Sequence, residues 1–508
     1  MGNAAASAAD SKSANKKALI IGGGIAGLCT GVYLRRLGFE TEILEMHTIS
    51  GGLATAWKKG GYTFENCLHW LVGSKDGSPM NAAWKEIFDI GRLKFYDDPV
   101  FQVIERGKDR LSIYRDPGRL EAELMAKAPE DAEAVRELVG LIRKFARMKM
   151  PESDSFLKNI GVYIGMVPFL PALSKYGKLS MADYGKRLKN PLLKAFFTSG
   201  ISELSFLAIV FSLAWMAQGN ASYAIGGSMP MIRLIEKNYR ALGGKIRFKA
   251  KVERIMVEGG RAVGVALEGG KGKRGEEARA DIVVSAADGH ATIFDMLGGK
   301  YVDERIKKIY ETYKPFPSYV QVSLGVDSPM KGEPGTLALL LDKKVKVDPG
   351  TAEDALTFRV FNFDPTFAPA KKTAVVAFLP TYNHEYWRGL REKSAKKYEA
   401  EKKRVAAQVI AVFEKRFPKA KGKIKVVDVA TPATIIRYTG NWRGSMEGWL
   451  MTPATGIKQL PAVLPGLKDF YMVGQWISPG GGLPAGLLTG RGIAKMIAKD
   501  SGRRWKLI

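Results

Sequence analysis

An α/β fold with a Rossmann-like first unit is predicted for this 508-residue chain by three features of its sequence. The first is a glycine turn, Gly22-Gly23-Gly24-Ile25-Ala26-Gly27, set between the strand-like Lys17-Ala18-Leu19-Ile20-Ile21 and a helix-like run. The second is an acid, Glu45, which closes the strand-like Glu42-Ile43-Leu44 eighteen residues beyond Gly27. The third is a return of strand, glycine-rich turn and helix near the far end, over residues 470–491. A parallel sheet assembled from both ends of the chain accounts for all three.

Each element follows from its residues. The turn reads G-x-G-x-x-G: Gly22 permits the tight bend, Gly24 lets backbone approach a pyrophosphate, and Gly27 lets the helix pack close to the sheet. The phosphates then meet N–H groups at Gly24, Ile25 and Ala26, at the positive end of the helix dipole. A carboxylate at Glu45 accepts hydrogen bonds from ribose hydroxyls and repels an added 2′-phosphate. Strand, turn, helix and acid in this order predict a bound dinucleotide.

Further motifs narrow the cofactor. Ser50-Gly51-Gly52-Leu53-Ala54 follows the acid, and Gly60-Gly61-Tyr62-Thr63-Phe64-Glu65 follows that. Toward the other end stand Thr431-Pro432-Ala433-Thr434, Gly444-Ser445-Met446-Glu447-Gly448, Met472-Val473-Gly474-Gln475-Trp476 and Gly480-Gly481-Gly482-Leu483-Pro484-Ala485-Gly486. This pattern resembles the flavoprotein family of phytoene desaturases, carotenoid isomerases and retinol saturases, and more distantly the amine oxidases. The resemblance runs from about residue 16 to residue 499 and is strongest at the two ends. It implies FAD in a glutathione-reductase-like domain, with Gly51, Gly52 and Leu53 along the cofactor and the Val252 backbone at the adenine. It also implies that Gly474, Gln475, Leu483, Pro484 and Gly486 close over the flavin ring. The stretch Phe64-Glu65-Asn66-Cys67-Leu68-His69-Trp70 is similar to the retinol saturase side, with Glu65 in place of the usual Asp and Asn66-Cys67 where an acid-x-Gly pattern is common.

The length calls for more than one domain. We expect a disordered tail at 1–15 and an FAD-binding domain at 16–100, 226–290 and 466–508. A discontinuous α+β substrate domain takes 101–225, which faces a membrane, and 291–465. Short strands are expected at 101–104 and 111–114, a helical region at 119–148, and a helix through Met231, Leu234, Ile235 and Tyr239 stopped by Gly243-Gly244. Strands are expected at 245–249 and 252–257, with a hairpin turn at Gly259-Gly260 into a strand at 262–267, a flexible tip at 269–275 and a buried strand at 280–287; the resemblance implies a meander in this region. Beyond it, strands are expected at 319–326, 358–363 and 374–379, followed by a basic helix.

Composition limits the partners. Hydrophobic residues make up 46% of the chain, which suits a sizeable core. Two cysteines, Cys29 and Cys67, and four histidines without ligand spacing predict neither disulfide nor metal. Residues 1–15 lack the apolar core of a secretory signal, and Ala6 stands where a myristoylation pattern wants Ser or Thr. A cytoplasmic protein is expected. The formal charge is +27, from 78 Lys and Arg against 51 Asp and Glu. Part of it is concentrated at 391–425, where Val405, Val409, Val412 and Phe413 recur at helical spacing. No recognition module for nucleic acid accompanies this charge, so no nucleic-acid partner is predicted. Two apolar segments, 159–173 and 204–217, are too short to span a bilayer. They read either as core or as a face resting on an anionic membrane, and peripheral membrane association is the expectation.

The redox chemistry belongs to the flavin, which the protein binds and orients. A helix starting after Pro484 would point N–H groups at the flavin N1–C2=O edge and stabilise a reduced, anionic ring. His69, flanked by Leu68, Trp70 and Leu71, is the titratable candidate for proton transfer, with a structural hydrogen-bonding role as the alternative. Glu203 reads as a solvated charge at a helix start. From the resemblance we expect an FAD-dependent oxidoreductase that desaturates, saturates or isomerises carbon–carbon double bonds. Its lipophilic substrate is a long apolar polyene or isoprenoid lipid, such as a carotenoid or retinoid. Two alternatives are an amine-oxidase-type enzyme with a polar substrate and a non-catalytic FAD-binding escort or scaffold.

Overall fold

The computed structural model describes residues 16–149, 162, 164–269, 275–456 and 459–507. The expected tail at 1–15, most of the tip at 269–275 and the beginning of the apolar segment at 159–173 lie outside the described residues.

One sheet is wholly parallel, in the order Lys245–Phe248, Glu40–Glu45, Lys17–Ile21, Ile282–Ser285, Phe470–Met472. Its strands come from widely separated parts of the chain, and their near-continuous apolar character suits a sheet covered on both faces. Ala18 and Ile20 turn toward the helices Ile25–Arg36, Ser228–Ala241 and Gly482–Asp500. Leu19 and Ile21 turn toward an antiparallel meander of Val252–Glu258, Arg261–Leu267 and Glu277–Arg279.

The second large sheet has seven strands, in the order Ile424–Ala430, Ser318–Val326, Thr373–Thr381, Thr351–Val360, Thr336–Asp348, Val100–Arg106, Asp109–Tyr114. All neighbours are antiparallel except Thr336–Asp348 and Val100–Arg106, which run parallel. The basic helix, Ala395–Arg416, covers one face through Val405, Val409 and Phe413. Alternation sends Ile104 and Ala338 to the opposite face, toward a helical layer that includes Ala132–Phe145, Pro191–Thr198 and Phe206–Ala217.

Several expectations need correction. The helical region at 119–148 is two helices, Pro117–Lys127 and Ala132–Phe145, separated by a turn at Pro129 that ends the first. The strand expected at 358–363 is Thr351–Val360, and the strands Thr336–Asp348 and Ile424–Ala430 were not foreseen. The apolar segment at 204–217 holds the helix Phe206–Ala217, and no residue of it is exposed. It is core rather than a membrane face: Phe206 stacks on Tyr184 with ring centroids 4.0 Å apart. Among the described residues, no helix is long and apolar enough to cross a membrane.

Candidate active site

The glycine turn forms the floor of a cleft at the C-terminal edge of the parallel sheet. The Gly22 N–H donates to Leu44 O at 2.8 Å, tying the turn to the neighbouring strand. A Cβ on Gly27 would lie 2.0 Å from Gly22 O, so only glycine lets this helix start here. The helix's first bond runs from the Leu28 N–H to Gly24 O at 3.0 Å, which leaves the N–H groups of Ile25, Ala26 and Gly27 at its open end. Gly24 pairs with Gly51, whose N–H donates to Gly23 O at 2.9 Å. Glu45 accepts from the Gly23 N–H at 2.6 Å and from the His47 N–H at 2.7 Å, one bond on each carboxylate oxygen. Each oxygen keeps a further lone pair for a ribose hydroxyl.

The C-terminal strand and helix form the opposite wall. The Gly474 N–H donates to Thr489 Oγ1 at 2.9 Å. A Cβ on Gly486 would lie 2.6 Å from Ile25 Cγ2, so this glycine is required by helix-to-helix contact as well as by its place on the cleft. A third wall is the loop at 441–447. Asn441 Nδ2 donates to Ser445 O at 2.6 Å, and Trp476 Nε1 donates to Asn441 Oδ1 at 3.0 Å. The enclosed space is about 370 Å³.

Thirteen of the expected cofactor residues line this cleft: Gly22, Gly24, Ile25, Ala26, Glu45, Gly51, Gly52, Leu53, Val252, Gly474, Gln475, Leu483 and Gly486. Gly27 and Pro484 stand off the wall. The helix begins at Gly482, ahead of Pro484, which the first turn tolerates because its missing N–H would have no intrahelical partner. A cradle with open N–H groups at one end, a carboxylate with lone pairs to spare and glycine-lined walls fits FAD.

The cleft opens onto a cavity of about 320 Å³ that shares Leu53, Cys67, Met446 and Glu447 with it. The cavity lies against the seven-stranded sheet, reached by Gln102 and Ile104, Ala338 and Leu340, Ala355 and Thr357, and Phe378 and Pro380, and by Phe196 of the helical layer. A further cavity of about 290 Å³ shares His69, Gln102, Thr357 and Phe378 with it. A larger space, about 770 Å³, adjoins the cleft at Glu45 and Gly52 on the other side, and only Asn66 connects it with the cavity on the sheet.

The titratable groups of the site are displaced from their ordinary ranges. Burial pushes the Glu447 carboxyl up to about 8, and it lines both the cleft and the cavity. Burial raises Asp288, on the cleft wall, to about 7, against the N–H groups of Ala291 at 2.8 Å and Trp442 at 2.7 Å. Burial, then the nearby Glu65 and Glu447, push the Cys67 thiol up. His69 goes the other way, to about 4, through burial and the nearby Arg359. The residue as a whole keeps exposed surface, and it lines both the cavity on the sheet and the one beyond it. Glu447 and Asp288 escaped the reading of the sequence; the first stands inside a motif quoted above and the second closes Ala286-Ala287-Asp288, and neither carries a local signal of its burial.

Two other carboxylates have structural work. Glu65 accepts from Ser228 through N–H at 2.9 Å and Oγ at 2.8 Å, and from the Cys67 and Leu68 N–H groups at 3.0 and 3.1 Å. Gly227, at φ 73°, passes so close that a Cβ there would lie 2.0 Å from Glu65 Oε2. Glu203 is exposed and pairs with Lys314 at 2.6 Å, away from the cavity walls.

Over 512 residues, 96% of this chain and 81% of the relative, the chain is 24% identical to a chloroplastic prolycopene isomerase of Daucus carota. It is also 24% identical, over 97% of both chains, to a 4,4′-diapophytoene desaturase of a Methylomonas species. The solved structure of an oxidoreductase from Methanosarcina mazei superposes with a TM-score of 0.59 at 16% identity, covering 94% of this chain and 100% of that one, and shows the same fold. The family description for flavin-containing amine oxidoreductases matches residues 25–498, nearly the whole of the folded chain, and the protein belongs to that family, with FAD as its cofactor.

Proposed function

We propose that this FAD-dependent oxidoreductase desaturates, saturates or isomerises carbon–carbon double bonds of a long apolar polyene or isoprenoid lipid, such as a carotenoid or retinoid. The observation that carries the reading is the cavity that leaves the flavin cleft at Leu53, Cys67, Met446 and Glu447 and continues across the sheet. An extended chain fits such a space, and its apolar walls desolvate the double bond. The named relatives act on compounds of this type. When bound, FAD supplies the hydride or electron exchange. The side chains supply the proton. His69 is held neutral at pH 7 and is placed to accept one, whereas Glu447, protonated below about pH 8, is placed to donate one. Their environments push the two pKa values apart, the signature of an acid–base pair.

The test is anaerobic incubation of oxidised and of reduced holoenzyme with extracted membrane lipids, followed by mass analysis and isomer-resolved chromatography. A polyene changed by two hydrogens, or in double-bond geometry alone, is expected. Consumption of amines with no change in any polyene would favour the amine-oxidase alternative. His69→Gln is expected to keep flavin and fold but lower turnover about 10²-fold. Unchanged turnover would leave His69 out of the chemistry.

Delivery of the substrate from a bilayer is part of the same proposal. Ile164, Val167 and Leu170 are 67%, 56% and 55% exposed, and the Lys144 ammonium lies 5.8 Å from the ring of Phe169 among them. Co-sedimentation with anionic liposomes is expected, weakening as salt screens the headgroups. Equal binding to neutral vesicles would remove the electrostatic part of the proposal.

A further inference from the structure

The cavity that continues beyond His69 ends at a guanidinium, Arg359, which forms no ion pair among the described residues. Arg359 lies on the strand Thr351–Val360, whose alternate residues Glu353, Ala355, Thr357 and Arg359 line the joined cavities. Six residues separate Glu353 from Arg359, about 20 Å of strand at roughly 3.3 Å per residue. That is room for a long chain lying flat on the sheet.

Arg359 makes little use of its charge. Nη1 donates to Thr336 Oγ1, Nη2 reaches His69 O only at 3.5 Å, and Nε has no partner. The rings of Tyr223, Phe361 and Phe363 stand 5.5, 5.8 and 5.1 Å from Cζ. They favour the cation without neutralising it. Among the described residues, no carboxylate lies within the 4.0 Å of an ion pair. The neighbouring charges do not fill the gap. Arg115 is committed to Asp97 at 2.8 Å and to Ala221 O at 2.7 Å. Asp98 lines the same cavity beyond ion-pair distance of Arg359 and accepts from the Val100 N–H at 3.0 Å; burial pushes its carboxyl up while the Arg359 charge acts to lower it. Arginine does not shed its proton, so the cavity presents a fixed positive charge on a half-buried side chain. Such a charge is costly to bury alone and is accommodated when a ligand brings the counter-ion.

We infer that this cavity is a head-group subsite for a carboxylate, and that the substrate is a long apolar acid whose chain lies over the sheet and whose carboxylate pairs with Arg359. The inference rests on the proposed function for the identity of the chain, but the carboxylate is recognised whether or not a double bond is present. An alcohol or hydrocarbon of equal length leaves the guanidinium unpaired.

Palmitic acid and hexadecanol separate these cases, because neither has a double bond to react. Equilibrium binding of each to the holoenzyme is measured at pH 8 by calorimetry and by perturbation of the flavin spectrum. The acid is expected to bind at least tenfold more tightly. Arg359→Gln should abolish that preference while leaving hexadecanol affinity within twofold, and Arg359→Lys should retain part of it. A role confined to holding Thr336 and the aromatic rings would move both ligands together. Equal affinities in the unaltered protein, no detectable binding of the acid, or a preference that survives Arg359→Gln would each overturn the inference. The first two outcomes decide it even if the variant does not fold. Retained acid preference in a protein that changes no polyene would sink the proposed reaction and leave the subsite standing.

Discussion

Replacing Gly24 with valine is expected to strip the protein of flavin while leaving it folded. In the structure a Cβ at residue 24 meets nothing closer than Gly51 O at 3.8 Å and Gly52 Cα at 3.9 Å, ordinary contact distances. The space it fills lies in the cleft, at the open end of the helix where a pyrophosphate would accept from the Ile25 and Ala26 N–H groups. A hydrogen bond to a charged group contributes about 1.5–3 kcal/mol. Losing one or two of them weakens FAD by ~10²-fold or more. Gly27 makes the contrast. Its Cβ would stand 2.0 Å from Gly22 O, so Gly27→Ala must move the helix off the sheet. Overpacking of this kind costs roughly 1–3 kcal/mol, more where the backbone cannot give. The measurement is FAD released per protein together with the urea midpoint. Gly24→Val should lose the first and keep the second, and Gly27→Ala should lower both. A Gly24→Val protein with full flavin content would contradict the assignment of the cleft.

The glycine-lined cleft was legible because its elements are local. Gly22, Gly24, Gly27 and Glu45 fall within one short strand–helix–strand unit, and backbone geometry gives each a single meaning. The seven-stranded sheet was not, because its contacts are long-range. Thr336–Asp348 joins the sheet by pairing Leu337 with Val103, and its Lys343 and Lys344 interrupt the apolar alternation that marks a strand. Ile424–Ala430 pairs with Ser318–Val326 about a hundred residues away, and its charged residues concealed it in the same manner. Hydrophobicity alone could not place the segment at 204–217 either. What makes it core is Tyr184 and the other helices of that layer, which no property of the segment announces. Arg359 and Glu447 were hidden for the same reason. A charge becomes informative only when burial removes its solvent, and burial here is assembled from distant strands and loops.

Glu447→Gln is expected to remove the alkaline limb of the pH–activity profile. Glu447 borders both the glycine-lined cleft and the cavity on the sheet, backed by the turn at Gly481, where a Cβ would lie 3.0 Å from Glu447 Oε2. The hydrogen bonds around it go to its main chain: Ser445 Oγ and Asn441 Nδ2 both donate to Glu447 O. With burial as the cause, its pKa rises to about 8. The acid is therefore neutral at pH 7, and a step that takes its proton slows as pH rises through about 8. The glutamine variant cannot deliver that proton, so turnover should fall by roughly 10²-fold or more and lose the one-proton dependence. Stability offers an independent reading of the same group. The folded pKa lies above the ordinary value of about 4.3, so between these limits the folded chain holds a proton that the unfolded chain has released. The contribution is fully present below about pH 4.3, declines as pH rises, and is lost above about pH 8. Glutamine carries no such dependence, and its unfolding temperature should gain on that of the unaltered protein across this window. If the stability difference grows with pH but the activity profile keeps its alkaline limb, Glu447 is a buried structural acid and the proton comes from another group. If both change, the residue that borders cofactor and substrate alike is the one that delivers the proton.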